Sequence, residues 1–450
     1  MLLWFATLLT TGIAAIVRQP RALAAADPRH GIRFLMENGL VGFLALGAVI
    51  LAVTGAEALY ADLGHFGQTP IRLGWYAIVF PSLLVNYLGQ GALLLGQPVA
   101  AANPVYALAP RWALLPLVAL ATTATVIASQ ALITGAFSLS SQAVQLGYLP
   151  RLSVIHTSAK QSGQIYIPEV NTALGLACVA LVLAFRSSTS LAAAYGLAVV
   201  GTMGITSLLF FFVARDRWRW NPVVAGLLTM LFLTVEIAFF GANLAKLTHG
   251  GWVSLGVGLL AFTLMSSWKD GRSRLGADVE MRSMPYDLLL ADVARRQPHR
   301  VKGTAVFMTG NPNGVPSIML HHLKHNKVLH ERVVVLSITK PDRPFVPAAE
   351  SIELTTLEHG FYRVLAHFGF METPSIAVVM ERCAALGLEM KMEETTFFLG
   401  RESLLISKKR GMARWRKQLF AFMSRNATPP TAYFGLPPNR VVELGIQIHF

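Results

Sequence analysis

The chain has little charge and almost no cysteine, and both shortages restrict its class. Only 14% of its 450 residues are charged and 54% are hydrophobic, whereas about 25% of the residues in an average soluble domain are charged. Its mean hydropathy is +0.51. The two cysteines, Cys178 and Cys383, have no CxxC or CxxH neighbour. These features exclude a disordered protein, a disulfide scaffold and a purely soluble enzyme, and no structural zinc motif is present.

The scarce charges are also unevenly distributed. Residues 1–268 contain 13 Lys and Arg but only 7 Asp and Glu, whereas residues 269–450 contain 25 and 17. We therefore expect an α-helical polytopic membrane domain over 1–268 and a soluble α/β domain over 269–450. The net charge of +14 lies mostly beside apolar segments. This placement favours a lipid bilayer with anionic headgroups as the partner, rather than nucleic acid.

Apolar runs of suitable length predict about eight membrane helices. They cover 1–17, 40–61, 73–95, 113–137, 170–185, 190–213, 222–244 and 250–268. The first run is at the lower limit, because a spanning helix needs about 20 residues. An even number of spans places both ends of the chain on the same side. Lys and Arg in the loops give no clear orientation, and we place the C-terminal domain in the cytosol.

After Trp268 the pattern becomes that of an α/β domain. Strands are predicted over 300–309 and 331–338 with a helix over 316–329 between them, which is a βαβ unit. Further strands are predicted at 351–357, 361–367 and 394–399, with a helix at 374–386. Residues 410–425 form a basic amphipathic helix. It could lie on a membrane surface, but packing on its own domain with a solvated basic face is the interpretation we favour.

Acidic residues inside membrane segments are costly and are therefore functional candidates. Glu57 is the strongest, because Thr54 and Gly55 just before it can interrupt the helix and free backbone carbonyls for a cation. Tyr60 shares a helix face with Glu57. Asp62 points elsewhere and belongs either to the site or to the membrane interface. The alternative for Glu57 is a structural carboxylate bonded to a neighbouring helix.

Two further spans carry polar features. Tyr195 precedes Gly196 in a glycine-interrupted span, where it could serve either an ion site or close helix packing. Glu236 could serve a transport pathway or pair with Lys246 or a neighbouring helix. The sequence has no GxGxxG, P-loop, GxSxG or HExxH motif, and no nucleophile and base are recognisable. We therefore expect neither an enzyme nor nucleotide-driven transport.

Several long motifs resemble the bacterial Kup potassium uptake proteins of the wider Kup/HAK/KT family. They are VTGAEALYADLGHFG (53–67), NYLGQGALLL (86–95), TVIASQALITGAFSL (125–139), HTSAKQSGQIYIPEVN (156–171), LAAAYGLAVVGTM (191–203), LKHNKVLHERVVVL (323–336) and PPNRVVELG (437–445). The resemblance extends along essentially the whole chain. It implies a fold similar to the amino acid–polyamine–organocation transporters, with inverted repeats of five helices, a broken first and sixth helix, and about twelve spans.

The resemblance also implies a function. Such proteins carry potassium into the cell across the inner membrane, in bacteria together with protons, and we expect potassium uptake by secondary transport here. Glu57 matches the family's acidic residue in the broken sixth helix and would hold K⁺ or the coupling proton, while Tyr195 matches a tyrosine of the tenth helix. We expect no resident cofactor. We also expect the protein to form a homodimer. An amino-acid permease, or a non-transporting membrane remnant with a regulatory soluble domain, remains an alternative.

The sequence departs from the family pattern at its start. The GDIGTSPLY-type motif of the family's first helix and the acid of the third helix are absent. The chain opens where a family member would be in its fifth helix, which agrees with the short first run. We therefore expect an incomplete chain that lacks half of the ion site, through a late start codon or a truncated gene.

Overall fold

The computed structural model describes residues 1–52, 54–55, 67–97, 103–157, 165–281, 283–341, 343–406 and 411–450. These residues divide into two compact units. The first, the membrane unit, comprises the described residues within Met1–Ser138 and Asn171–Leu259. The second, the C-terminal unit, comprises Leu139–Thr157, Ile165–Val170 and Leu260–Phe450. The C-terminal unit therefore includes short segments that lie between predicted membrane helices in sequence.

The first part of the chain is helical. Its helices are α1 (Leu2–Arg18), α2 (Pro28–Ala52), α3 (Gln68–Gly96, with a π turn at Trp75–Val79), α4 (Pro104–Ala107), α5 (Leu114–Gln145), α6 (Pro168–Phe185), α7 (Ser188–Phe212), α8 (Pro222–Leu244) and α9 (Trp252–Met281). A two-stranded ribbon, β1 (Ile155–His156) and β2 (Ile165–Tyr166), follows α5.

The helices agree with the predicted membrane segments. Among the described residues, six are long and apolar enough to span a membrane, or seven if α1 and the bent turn Pro20–Ala26 form one broken span. Such a set makes this a multi-pass membrane protein. The eighth predicted segment, 250–268, corresponds to the first half of α9. The helix α9 does not meet the same criterion, since charges follow its uncharged stretch directly after Trp268.

Small residues bring the helices of the membrane unit together. Helix α1 packs on α3, where a Cβ on Gly12 would lie 2.6 Å from the carbonyl oxygen of Val85. The amide of Asn86, which is 2% exposed, donates to the carbonyl of Leu8 at 3.1 Å. Helices α2, α7 and α8 form a second packed group. Close approach through glycine is the usual way in which apolar helices associate inside a bilayer.

The C-terminal unit contains a six-stranded, mostly parallel sheet. Its strands are β3 (His299–Thr309), β4 (Val328–Thr339), β5 (Ile352–Thr356), β6 (Phe361–His367), β7 (Thr395–Leu405) and β8 (Val441–His449), in the order β5-β6-β4-β3-β7-β8. Only the edge strand β5 is antiparallel to its neighbour. The helices are α10 (Tyr286–Arg296), α11 (Ser317–Asn326), α12 (Ile376–Ala385), α13 (Arg414–Arg425) and α14 (Pro430–Tyr433).

Helices cover both faces of this sheet, as expected for parallel strands buried on two sides. One face packs on α12 through Val379 and Cys383. The other packs on α10 and α11 through Leu289 and Met319. The predicted βαβ unit is confirmed by the parallel pairing of β3 and β4 around α11. Helix α10 and strand β8 were not predicted.

Candidate cation site at the broken end of helix α2

Helix α2 ends inside an apolar region of the chain. Its last residue is Ala52, and Gly55 has a φ of +113°, which side-chain-bearing residues rarely adopt. The hydroxyl of Thr54 donates to the carbonyl of Leu51 at 2.9 Å. Helix α2 therefore ends just before Thr54 and Gly55, where the sequence predicts an interruption.

A second hydroxyl also reaches this end of the helix. Tyr87 on α3 donates to the carbonyl of Ala52 at 3.3 Å. A carbonyl has two lone pairs, so a single hydroxyl donor leaves it able to accept a second partner. Carbonyl and hydroxyl oxygens are the groups that replace the water shell of potassium in proteins.

An unpartnered amide oxygen faces the same region from α8. Asn243 is fully buried, and its Nδ2 donates to the carbonyl of Phe239 at 2.9 Å. Its Oδ1 has no hydrogen-bond partner among the described residues. A Cβ on Gly196 of α7 would lie 2.8 Å from this oxygen and 3.6 Å from Leu51 of α2. Gly196 therefore leaves room for Asn243 where α2, α7 and α8 meet, close to the break.

Glu236 lies two turns before Asn243 on the same helix, and therefore close to the same face. Its Oε1 accepts a 2.7 Å hydrogen bond from the hydroxyl of Ser207 on α7. Its buried Oε2 has no partner within the described ranges. Lys246 donates instead to the carbonyl of Gly47 on α2 at 2.7 Å. Glu236 therefore pairs with the neighbouring helix α7, and Lys246 bonds elsewhere.

The predicted site residues are only partly described. Glu57, Tyr60 and Asp62 lie outside the described residues, while Thr54 and Gly55 form the break. Tyr195 is 43% exposed and lies on a different face of α7 from the buried Gly196, so its role stays a prediction.

Asn243 was missed by sequence reasoning. The signal was its amide group within an otherwise apolar helix, seven residues after Glu236. Its importance depends on Gly196 lying opposite, which only the packing of α7 on α8 reveals.

A second polar cluster lies within the C-terminal unit, where the segment after α5 meets the sheet domain. Arg151 donates through Nε to the carbonyl of Thr428 at 3.0 Å, and Gln145 donates to the hydroxyl of Tyr433 at 3.0 Å. Lys340 at the end of β4 lies 3.5 Å from the same hydroxyl. Burial, with Arg151 nearby, lowers the pKa of Lys340 to about 8, and burial also lowers the pKa of Arg151. Both cations are thus half-buried at this contact.

Comparison with known proteins identifies the family to which this arrangement belongs. The K⁺ potassium transporter integral membrane domain matches residues 1–273, and the K⁺ potassium transporter C-terminal domain matches residues 302–450. The "Probable potassium transport system protein Kup" of Anaeromyxobacter dehalogenans (strain 2CP-C) is 55% identical over 453 residues, covering 100% of this chain and 68% of the relative. The chain belongs to the Kup family of potassium transporters.

Other members of the family show the same extent of similarity. The protein of the same description from Myxococcus xanthus is 54% identical over 100% of this chain and 69% of its own length. "Probable potassium transport system protein Kup 2" of Chromobacterium violaceum is 52% identical over 100% of this chain and 72% of its own length. The expected resemblance to the Kup family is thereby confirmed over the membrane helices and the α/β domain together.

Proposed function

We propose that this chain carries potassium into the cell across the inner membrane, driven by proton cotransport, with its cation site at the broken end of α2. The proposal rests on the end of α2, where hydroxyls bond the carbonyls of Leu51 and Ala52, and on the buried Asn243 amide oxygen near Leu51, which has no partner among the described residues. Membership of a potassium transporter family supports potassium as the cargo. In this arrangement the C-terminal domain is cytosolic.

Each group at the break has a separate part in the proposed site. The carbonyls of Leu51 and Ala52 and the hydroxyl of Thr54 supply neutral oxygens, and Asn243 Oδ1 supplies another from α8. Glu57 follows the break in sequence by two residues and provides the negative charge that holds the cation or the coupling proton. Neutral oxygens with a single carboxylate suit a weakly hydrated monovalent ion that must also be released.

Proton coupling needs a group that changes its protonation state during transport. Glu57 is the first candidate because it lies next to the cation oxygens in sequence. Glu236 is the second, because Ser207 occupies only one of its carboxylate oxygens and the other is buried without a partner in the described part of the chain.

The test is rubidium uptake by a potassium-uptake-deficient strain that produces this protein, with expression measured for each variant. Glu57→Gln should abolish uptake, since the site loses the negative charge that the proposal assigns to Glu57. Asn243→Ala should lower uptake at limiting rubidium, because one oxygen ligand is removed. Asn38→Ala is the matched control: Asn38 is exposed and its amide makes the same type of bond, to Phe34 O at 2.8 Å. Normal uptake by Glu57→Gln at equal expression would refute the assignment.

The same cells distinguish the alternative functions. An amino-acid permease of this fold would take up labelled amino acids and leave rubidium outside. A non-transporting membrane remnant with a regulatory soluble domain would take up neither. A homodimer stays a prediction that cross-linking of the purified protein in lipid would examine.

A further inference from the structure

The basic helix α13 is attached to the last membrane segment at one definite level. The Phe420 ring is completely buried, with its centroid 5.2 Å from that of Trp268, and it packs directly on Gly271 of α9. Arg416 donates through Nε to the hydroxyl of Ser267 at 2.9 Å. All these residues belong to the C-terminal unit, so α13 crosses α9 between about Ser267 and Leu275.

This crossing level coincides with the end of the apolar part of α9. No charged residue occurs from Trp252 to Trp268, and large side chains there are exposed, including Leu259 and Phe262 at 67% and 70%. Lys269 and Asp270 follow immediately. Gly271 is three residues beyond Trp268, or about 5 Å along an upright helix. Because the headgroup layer is roughly 5–7 Å thick on each side of the hydrocarbon core, α13 lies at headgroup depth.

The face of α13 that does not pack on the protein has the side chains of an interfacial helix. Trp415 and Phe422, two turns apart, are 56% and 65% exposed. Leu419 lies between them and packs on the same cluster as Leu264, which is in the apolar part of α9. Aromatic side chains favour the boundary between acyl chains and headgroups. The aromatic stripe of α13, formed by Trp415 and Phe422, therefore lies beside the apolar part of α9.

The sequence that contains this stripe carries charge of one sign, although Arg416 also lies 3.7 Å from Asp270 of α9. Between residues 403 and 442 the sequence has eight Lys and Arg and no Asp or Glu. Arg414 and Arg425 are exposed at the two ends of α13. A basic segment next to a membrane helix attracts anionic lipid, with about 1 kcal/mol for each cation near the surface.

We propose that α13 is an interfacial helix that binds the anionic phospholipids of the membrane entered by α9. Trp415 and Phe422 reach the acyl boundary, and Arg414 and Arg425 bind headgroup phosphates. The buried side of α13, with Phe420 at its centre, ties the C-terminal domain to α9 at the same depth. The inference concerns a lipid-binding surface and does not depend on which ion is transported.

The test uses the full chain in nanodiscs with an environment-sensitive fluorophore at Phe422→Cys. Cys178 is exposed and is first replaced by serine, while Cys383 is fully buried and stays unlabelled. In discs containing phosphatidylglycerol the label should emit at shorter wavelength and be quenched by brominated lipid. The matched control is Phe345→Cys in the same unit, where the native side chain is 61% exposed and no lipid contact is proposed. Its label should remain in water.

Replacing Arg414 and Arg425 together by glutamine tests the role of charge. At about fivefold for each arginine, the docked-to-undocked ratio of the Phe422 label should fall roughly 30-fold. A Phe422 label as water-exposed as that at Phe345 overturns the proposal. Equal protection in purely zwitterionic discs overturns the headgroup assignment. Protection that persists in detergent and grows with protein concentration also overturns it, because a second copy of the chain would then cover this face.

Discussion

Lys340 is a half-buried cation whose removal should stabilise the protein. Its pKa lies near 8 instead of 10.5 because burial disfavours the ammonium form and Arg151 repels it. At pH 7 Lys340 is charged in both the folded and the unfolded state, so this lowered pKa corresponds to roughly 3 kcal/mol of destabilisation of the folded state. The long contact with Tyr433 offsets little of this cost, since a hydrogen bond contributes about 1 kcal/mol at best.

The sign of the pH dependence follows from the direction of this pKa change. Below pH 8 Lys340 is charged in both the folded and the unfolded state, and the full cost is present. Between pH 8 and about 10.5 the folded state has lost the proton while the unfolded state keeps it. Stability should therefore rise with pH across this window, and Lys340→Met should remove that rise.

The measurement is thermal unfolding of the full chain in lipid or detergent, at one scan rate, from pH 7 to pH 10. For a unit of this size 1 kcal/mol moves the midpoint by about 2–4 °C, so Lys340→Met should raise it by roughly 6–12 °C at pH 7. Lys324→Met on the exposed face of α11 is the matched control and should change it little. A lower midpoint for Lys340→Met than for the wild type at pH 7, or an unchanged pH profile, would refute the reasoning.

Two glycine substitutions, each with a control glycine on the same helix, test the helix contacts. Gly271→Ala should destabilise the C-terminal unit by about 1–3 kcal/mol, since the new Cβ would lie 2.6 Å from a carbon of the buried Phe420 ring. Gly276→Ala on the same helix has open space in the described structure and should stabilise the unit by up to about 1 kcal/mol. The unfolding midpoints of the two variants measure this difference. Gly196→Ala should reduce rubidium uptake by pushing Asn243 from its position. Gly201→Ala, with no described atom within 4 Å of its Cβ, should leave rubidium uptake unchanged. Equal uptake by the two variants would contradict the proposed site.

The sequence patterns predicted those parts of the fold that depend on local composition. Long uncharged runs locate membrane helices because the bilayer demands them, and the β-branched run of β4 marks a strand buried on both faces. Helix α10 was missed because it is only 11 residues long and buries just Leu289 and Val293 on one side. Strand β8 was missed because its place at the sheet edge depends on pairing with β7.

The candidate site was predictable only where one segment carries the signal. Thr54 and Gly55 predict the end of a helix by their own conformational preferences, and α2 ends at Ala52. Asn243 matters only because Gly196, 47 positions earlier, has no side chain to fill the space in front of it. Packing between helices that are distant in sequence creates this relation, which neither periodicity nor composition encodes.

The α13 helix shows that a basic amphipathic sequence can conceal a second apolar face. Its basic amphipathic sequence favoured packing on its own domain, and Phe420 and Met423 are buried there. The structure adds the level of that packing, at the end of the apolar part of α9, and a second face with exposed aromatic side chains. Hydrophobic periodicity alone does not distinguish a helix with one apolar face from a helix with two.

The contacts of the C-terminal unit bear on how the soluble domain could influence transport. Gln145 at the end of α5 bonds to Tyr433, Arg151 bonds to Thr428, and Gly271 of α9 packs on Phe420. The sheet domain is therefore fixed to the ends of two helices that continue into predicted membrane segments. A ligand of this domain would alter transport only by binding more tightly to one arrangement of these contacts than to another. Partial burial of the cations Lys340 and Arg151 makes that contact energetically costly.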